Sequence, residues 1–103
     1  MYDIETTGEF DDWLENIRDS KAQKVIVKRI RVMSLGTLGD TRPLGGGLFE
    51  VRIHYGVGYR LYFINTGHTI IVLLCGGDKS TQRHDIKRAR ELREVYHDKD
   101  KEV

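Results

Sequence analysis

The stretch FEVRIHYGVGYRLYF, residues 49–63, decides the fold. Apolar and polar side chains alternate on both sides of a glycine-containing break, the period-2 signature of two strands. The segment YGVG, with Gly56 and Gly58, closes them into a hairpin, because glycine tolerates positive φ. In the first strand, at about 48–54, Phe49, Val51 and Ile53 share one face and Glu50, Arg52 and His54 the other. In the second, at about 59–65, Tyr59, Leu61 and Phe63 face one way and Arg60 and Tyr62 the other. Cations gathered on so small a surface repel one another unless an anion is meant to sit there.

Working outward, TIIVLLCGG supplies a third strand at about 69–76, apolar on both faces and so expected inside the sheet. Upstream, MYDIETT makes a short first strand. Thr6 with Glu9, and Ser20 with Gln23, resemble capping boxes. Phe10, Trp13, Leu14 and Ile17 form one apolar helical stripe; Ala22, Val25, Ile26, Ile30 and Met33 form a second, stopped near Gly36. Two helices so closely linked make a hairpin. Residues 36–47, GTLGDTRPLGGG, read as a loop; the glycine triplet has no Gly-Lys-Ser/Thr after it, so a flexible strand entry is expected rather than a phosphate cradle. Ser80 or Thr81 caps a last helix with Ile86, Ala89, Leu92 and Tyr96 as its stripe, and the tail from about 97 is expected to fray. The result is a single α+β domain over 1–103, ordered βααβββα, with an antiparallel sheet and helices packed on one face. The face carrying Arg52, His54, Arg60 and Tyr62 is left uncovered.

Composition sets bounds on function. With 103 residues, 39% hydrophobic and 32% charged, the chain suits one globular domain. Its longest apolar run is far short of the ~20 residues that span a bilayer. The acidic N-terminus has no apolar signal region, so no export is expected. One cysteine, Cys75, in an apolar run, suits a buried thiol in a reducing cytoplasm. Net charge is +1, yet residues 20–77 hold eight bases and two acids, whereas residues 1–19 hold seven acids and one base. The cationic middle suits an anionic partner such as nucleic acid.

The end of the third strand, CGGDKSTQRHDI, can bring Lys79 to the edge of the cationic face, with Gln82 and His84 at the start of the last helix. Arg52, His54, Arg60, Tyr62, Lys79, Gln82 and His84 can thus line one cleft. Plainer readings exist for each: Arg52 can pair with Glu50, Tyr62 can pack across strands, and Gln82 and His84 can be ordinary helix-start residues. Metal binding is not expected, because histidines 54, 68, 84 and 97 lack ligand spacing and one cysteine builds no thiolate site. No cofactor motif is present: GVGYRL lacks the third glycine of a dinucleotide fingerprint.

GDTRPLGGGLFEVRIHYGVGYRLYF with LLCGGDKSTQRHDIKRA resembles the phage-derived Gp49-like, HigB-type toxins of the RelE/ParE superfamily. The elements FEVR, GYR and GGDKSTQ occur in order, and the likeness extends to the initial F-x-x-W-L helix. The resemblance implies the RelE-like fold, a cognate antitoxin of helix-turn-helix type, a bacterial or phage cytoplasmic setting and growth arrest. It also implies an endoribonuclease (mRNA interferase) acting on mRNA in the ribosomal A site and inhibiting translation. Carried over, Arg60 is the phosphate-binding and transition-state arginine, Arg52 and His54 are the basic positions of the preceding strand, and Lys79 is the basic residue after the last strand. His84 joins them as a candidate catalytic group, with Tyr62, Gln82 and Arg83 as RNA contacts. The residue assisting catalysis near the last helix has no clear match; His84, Tyr96 and His97 are the candidates. Two other classes stay open: a gyrase inhibitor that cleaves nothing, and a non-catalytic member that binds antitoxin or nucleic acid.

Overall fold

The hairpin forms as the alternation demands, with Val51 opposite Leu61 and Phe49 opposite Phe63, whose rings stack with centroids 5.4 Å apart. The computed structural model describes the backbone of residues 1–101 and the side chains of residues 1–96. The elements are β1 (Asp3–Thr6), α1 (Gly8–Glu15), α2 (Ser20–Ser34), β2 (Thr41–Gly45), β3 (Leu48–Ile53), β4 (Tyr59–Thr66), β5 (Ile70–Asp78) and α3 (Gln82–Lys101). A 3-10 turn over Lys79–Thr81 joins the last two. The sheet order is β1-β5-β4-β3-β2, antiparallel except that β1 runs parallel to β5. No helix among the described residues is long and apolar enough to cross a membrane.

The α+β class and the chain order are as expected, with one extra strand. β2 lies where the sequence suggested loop. Its Pro43 cannot donate to a ladder, and it sits on the sheet edge, where that costs nothing. Gly45, Gly46 and Gly47 all take positive φ (93, 63 and 81°) and turn the chain into β3.

α1 and α2 cover one sheet face. Phe10, Ile26 and Met33 are fully buried there against Val51, Leu61, Ile71 and Leu73. The caps fall one residue away from the expected ones: Thr7 accepts from Phe10 N, and Asp19 accepts from Lys21 N and Ala22 N. Gln23 Nε2 donates to Leu14 O at 2.9 Å and ties the two helices into their hairpin.

The second sheet face is not bare. α3 packs on it through the expected stripe of Ile86, Ala89, Leu92 and Tyr96, against Leu48, Tyr62, Ile64, Val72, Leu74 and Cys75. A strand apolar on both sides needs cover on both sides, and β5 is such a strand. A bulge sharpens this: Tyr62 pairs with Cys75 and Phe63 with Leu73, so Leu74 is left over and both Leu74 and Cys75 join the α3 side. Tyr62 is therefore fully buried rather than solvent-facing. Past the bulge, Gly76 lies under the Trp13 ring and Gly77 under the Asp85 carboxylate; a Cβ would fall 2.3 Å from Trp13 Cζ3 and 1.7 Å from Asp85 Oδ2. α3 is helical through Lys101, while the side chains past Tyr96, including His97 and the tail expected to fray, lie outside the described residues.

Candidate functional site

Arg52 and Arg60 are direct cross-strand partners on β3 and β4. Like charges in that position repel. Two residues along β3, on the same face, Glu50 supplies the compensating charge from a fully buried position. Arg52 Nε donates to Glu50 Oε1 at 2.8 Å, and Arg60 Nε stands 3.8 Å from Oε2. From the start of α3, Gln82 Nε2 donates to Oε2 at 2.8 Å. Burial pushes the Glu50 carboxyl up, but the hydrogen bonds from Arg52 and Gln82 and the two arginine charges outweigh it and hold it below its ordinary value. The Arg52 guanidinium is raised in turn, chiefly by its bond to Glu50.

Arg60 is only 7% exposed. Its Nη1 donates to Gly58 O at 3.2 Å, and its Nε is buried without a hydrogen-bond partner. The Tyr62 hydroxyl, two residues along β4, is likewise buried and makes no hydrogen bond within ordinary length. Burial, and then the Glu50 charge, push that phenol upward, so it stays protonated. Tyr62 thus sits on the face of β4 buried under α3, rather than at a surface open to RNA.

A cleft of about 210 Å³ opens beside this cluster, lined by Arg52, His54, Arg60 and Lys79, with Ile53 and Tyr59 among its walls. Lys79 is exposed in the 3-10 turn, which Asp78 caps through Ser80 N while Thr81 Oγ1 accepts from Asp78 N. Gly58 packs close by; a Cβ there would lie 3.6 Å from Lys79 Cβ. His54 is exposed at the hairpin end, and its Nε2 meets Asp40 Oδ2 at 2.7 Å. That bond holds the Asp40 carboxyl below its usual range and leaves imidazole Nδ1 free. A larger groove of about 370 Å³ adjoins through Tyr59, but its rim carries Asp12 and Asp78 and suits an anion poorly.

The structure therefore brings four of the sequence-expected residues, Arg52, His54, Arg60 and Lys79, to one cleft. Gln82 is beside it with its amide committed to Glu50. Arg83 is exposed on the first turn of α3. His84 does not line the cleft: it is exposed on the outer side of α3, 3.4 Å from Asp85 Oδ1. Two residues that the sequence did not assign to the site shape it. Glu50 was legible as Arg52's neighbour on one strand face, whereas Asp40 lies in a loop and carries no local signal.

The chain matches the model of the family described as phage-derived protein Gp49-like (DUF891) over residues 12–94. It is 45% identical over 89 residues to a Haemophilus influenzae protein described only as uncharacterized, covering 86% of this chain and 90% of that protein. Its fold is similar to that of YafQ from E. coli BL21(DE3), with a TM-score of 0.61 at 14% identity, covering 80% of this chain and 98% of that one.

Proposed function

Since the chain belongs to the phage-derived Gp49-like family, we propose that it is the toxin of a type II toxin–antitoxin pair and cleaves mRNA on the ribosome. The observation that supports this best is the cleft itself. A buried arginine with an unfilled Nε lies beside a second arginine, an exposed lysine and a histidine backed by a carboxylate. These are the groups that phosphodiester transesterification needs. The ribose 2′-oxygen attacks the adjacent phosphorus, a 2′,3′-cyclic phosphate forms as the bond from phosphorus to the next 5′-oxygen breaks, and that oxygen leaves as a hydroxyl with a proton taken from solvent. His54 Nδ1 is suited to take the 2′-OH proton, with Asp40 stabilising the imidazolium. Arg60, Arg52 and Lys79 meet the extra phosphorane charge, work that needs no metal ion. With His54 as the one histidine lining the cleft among the described residues, the rate depends on the ribosome orienting the mRNA. The partner expected in the cell is a cognate antitoxin, of helix-turn-helix type, acting on a cytoplasmic protein.

The test is mRNA cleavage on programmed ribosomes, beside a gyrase supercoiling assay. Cleavage that needs ribosomes supports the reading. Intact mRNA with blocked supercoiling replaces it with gyrase inhibition, and neither activity leaves a non-catalytic binder.

A further inference from the structure

Arg52, Gln82 and Arg60 all bring nitrogen donors to the two oxygens of Glu50. Arg52 Nε takes Oε1 and Gln82 Nε2 takes Oε2, each at 2.8 Å. Arg60 Nε, 3.8 Å from that same Oε2, is beyond hydrogen-bond length. A buried guanidinium so near a buried carboxylate ordinarily closes to a charge-assisted bond. Here its Nε makes no hydrogen bond, although Nη1 donates to Gly58 O. The carboxylate can only accept, so the amide nitrogen of Gln82 is the atom that faces it. The amide is neutral, and it satisfies the oxygen without consuming a positive charge.

We infer that Gln82 is a positioning residue: by occupying Glu50 Oε2 it prevents Arg60 from collapsing onto the carboxylate and keeps that guanidinium open to an RNA phosphate. This rests on the reading of the cleft as a cleavage site. Without the amide, Oε2 becomes a buried unsatisfied acceptor, which is costly, and Arg60 Nε, 3.8 Å away, is the charged donor within reach of it. A shift of about 1 Å closes the gap to an ordinary ion-pair length. Arg60 then spends its charge internally and attracts the transition state less. Because α3 carries Gln82 and β3 carries Glu50, 32 residues apart, the docking of α3 sets the state of the arginine.

The experiment is single-turnover mRNA cleavage on programmed ribosomes, with thermal melting to verify folding. Gln82→Met keeps the size and removes the amide; Gln82→Ala removes it without added bulk if methionine disturbs the fold. The expected result is a rate at saturating protein lowered about tenfold or more, the scale of one charge-assisted hydrogen bond, with the half-saturating concentration little changed. Adding Glu50→Gln to the Gln82 variant should recover most of the rate, because a neutral amide oxygen holds a guanidinium much less tightly than a carboxylate does. A Gln82 variant as fast as the parent overturns the inference, as does a double variant no faster than the single one, which marks a merely structural role. Arg60→Ala separates the levels. If it slows cleavage while the Gln82 variants do not, only the positioning role falls; if it has no effect, the cleft reading falls and takes the inference with it.

Discussion

Arg52 and Arg60 face each other across two strands, and the buried carboxylate of Glu50 is what makes that tolerable. Glu50→Ala leaves two arginines opposed with no counter-charge, one of them buried. Breaking a buried pair by removing one partner costs about 3–5 kcal/mol, so we expect a chemical-denaturation midpoint lowered accordingly, with the m-value unchanged.

The same carboxylate predicts a pH dependence. Glu50 is held below its ordinary value of 4.5 in the folded protein. Its contribution is therefore fully present above that unfolded value and is lost as pH falls through the lower folded one. Stability measured from pH 6 downward should fall below about pH 4.5, and Glu50→Gln should flatten that limb. An equally steep limb in the variant would assign it to other acids, such as Glu9, which the hydrogen bond from Arg88 also lowers.

Arg60→Ala should slow ribosomal mRNA cleavage by ~100- to 1000-fold, the usual loss for one preorganised charge. Arg60→Lys should restore little, because lysine lacks the planar fork. Rapid cleavage by a folded Arg60→Ala protein would remove the site. His54→Ala should lower the rate by about 100-fold or more with ribosome binding unchanged, and His84→Ala, outside the cleft, should leave both unaltered.

Trp13 packs on the Gly76 backbone and against Phe10 and Tyr59, with ring centroids 5.6 and 6.4 Å away. Trp13→Ala should cost about 3 kcal/mol, the low end for tryptophan because the ring is only half-buried. Gly76→Ala should cost roughly 1–3 kcal/mol through overpacking. In a double-mutant cycle the two should be strongly non-additive, with Gly76→Ala nearly neutral once the ring is gone. Simple additivity in denaturation would contradict the packing.

Expressed without its antitoxin, the protein should arrest growth and lower translation before DNA synthesis. Pulse labelling with an amino acid and with thymidine gives the order. DNA synthesis failing first would favour gyrase as the target.

Much of this architecture was legible because the hairpin over 49–63 alternates so regularly, which placed Arg52 and Arg60 on one face; that they stand directly opposite each other is seen only in the strand pairing. The stripes of Phe10 to Ile17 and Ala22 to Met33 gave both helices for the same periodic reason. What was not legible came from features without a local period. β2 is held by pairing with β3 rather than by its own propensity. The bulge at Leu74 and the two glycines after it decide which side β5 presents, and no alternation announces a one-residue slip. Hence the position of α3 and the burial of Tyr62 were missed, although the two-sided apolarity of β5 was the available clue. His84 fell outside the cleft because a helix start fixes nearness in sequence, not the direction of each side chain.

The parallel pairing of Asp3–Thr6 with Ile70–Leu73 sets a timetable. The first strand to leave the ribosome is among the last to find its neighbour, since β5 follows nearly seventy residues later. Contacts so distant in sequence form late, and during synthesis they wait for the chain between to emerge. The cleft is bound by the same schedule: it draws on β3, β4, Lys79 and, through Gln82, the first turn of α3. A nascent chain that has not yet extended through Gln82 therefore cannot assemble the cleft, however early its first strand emerges.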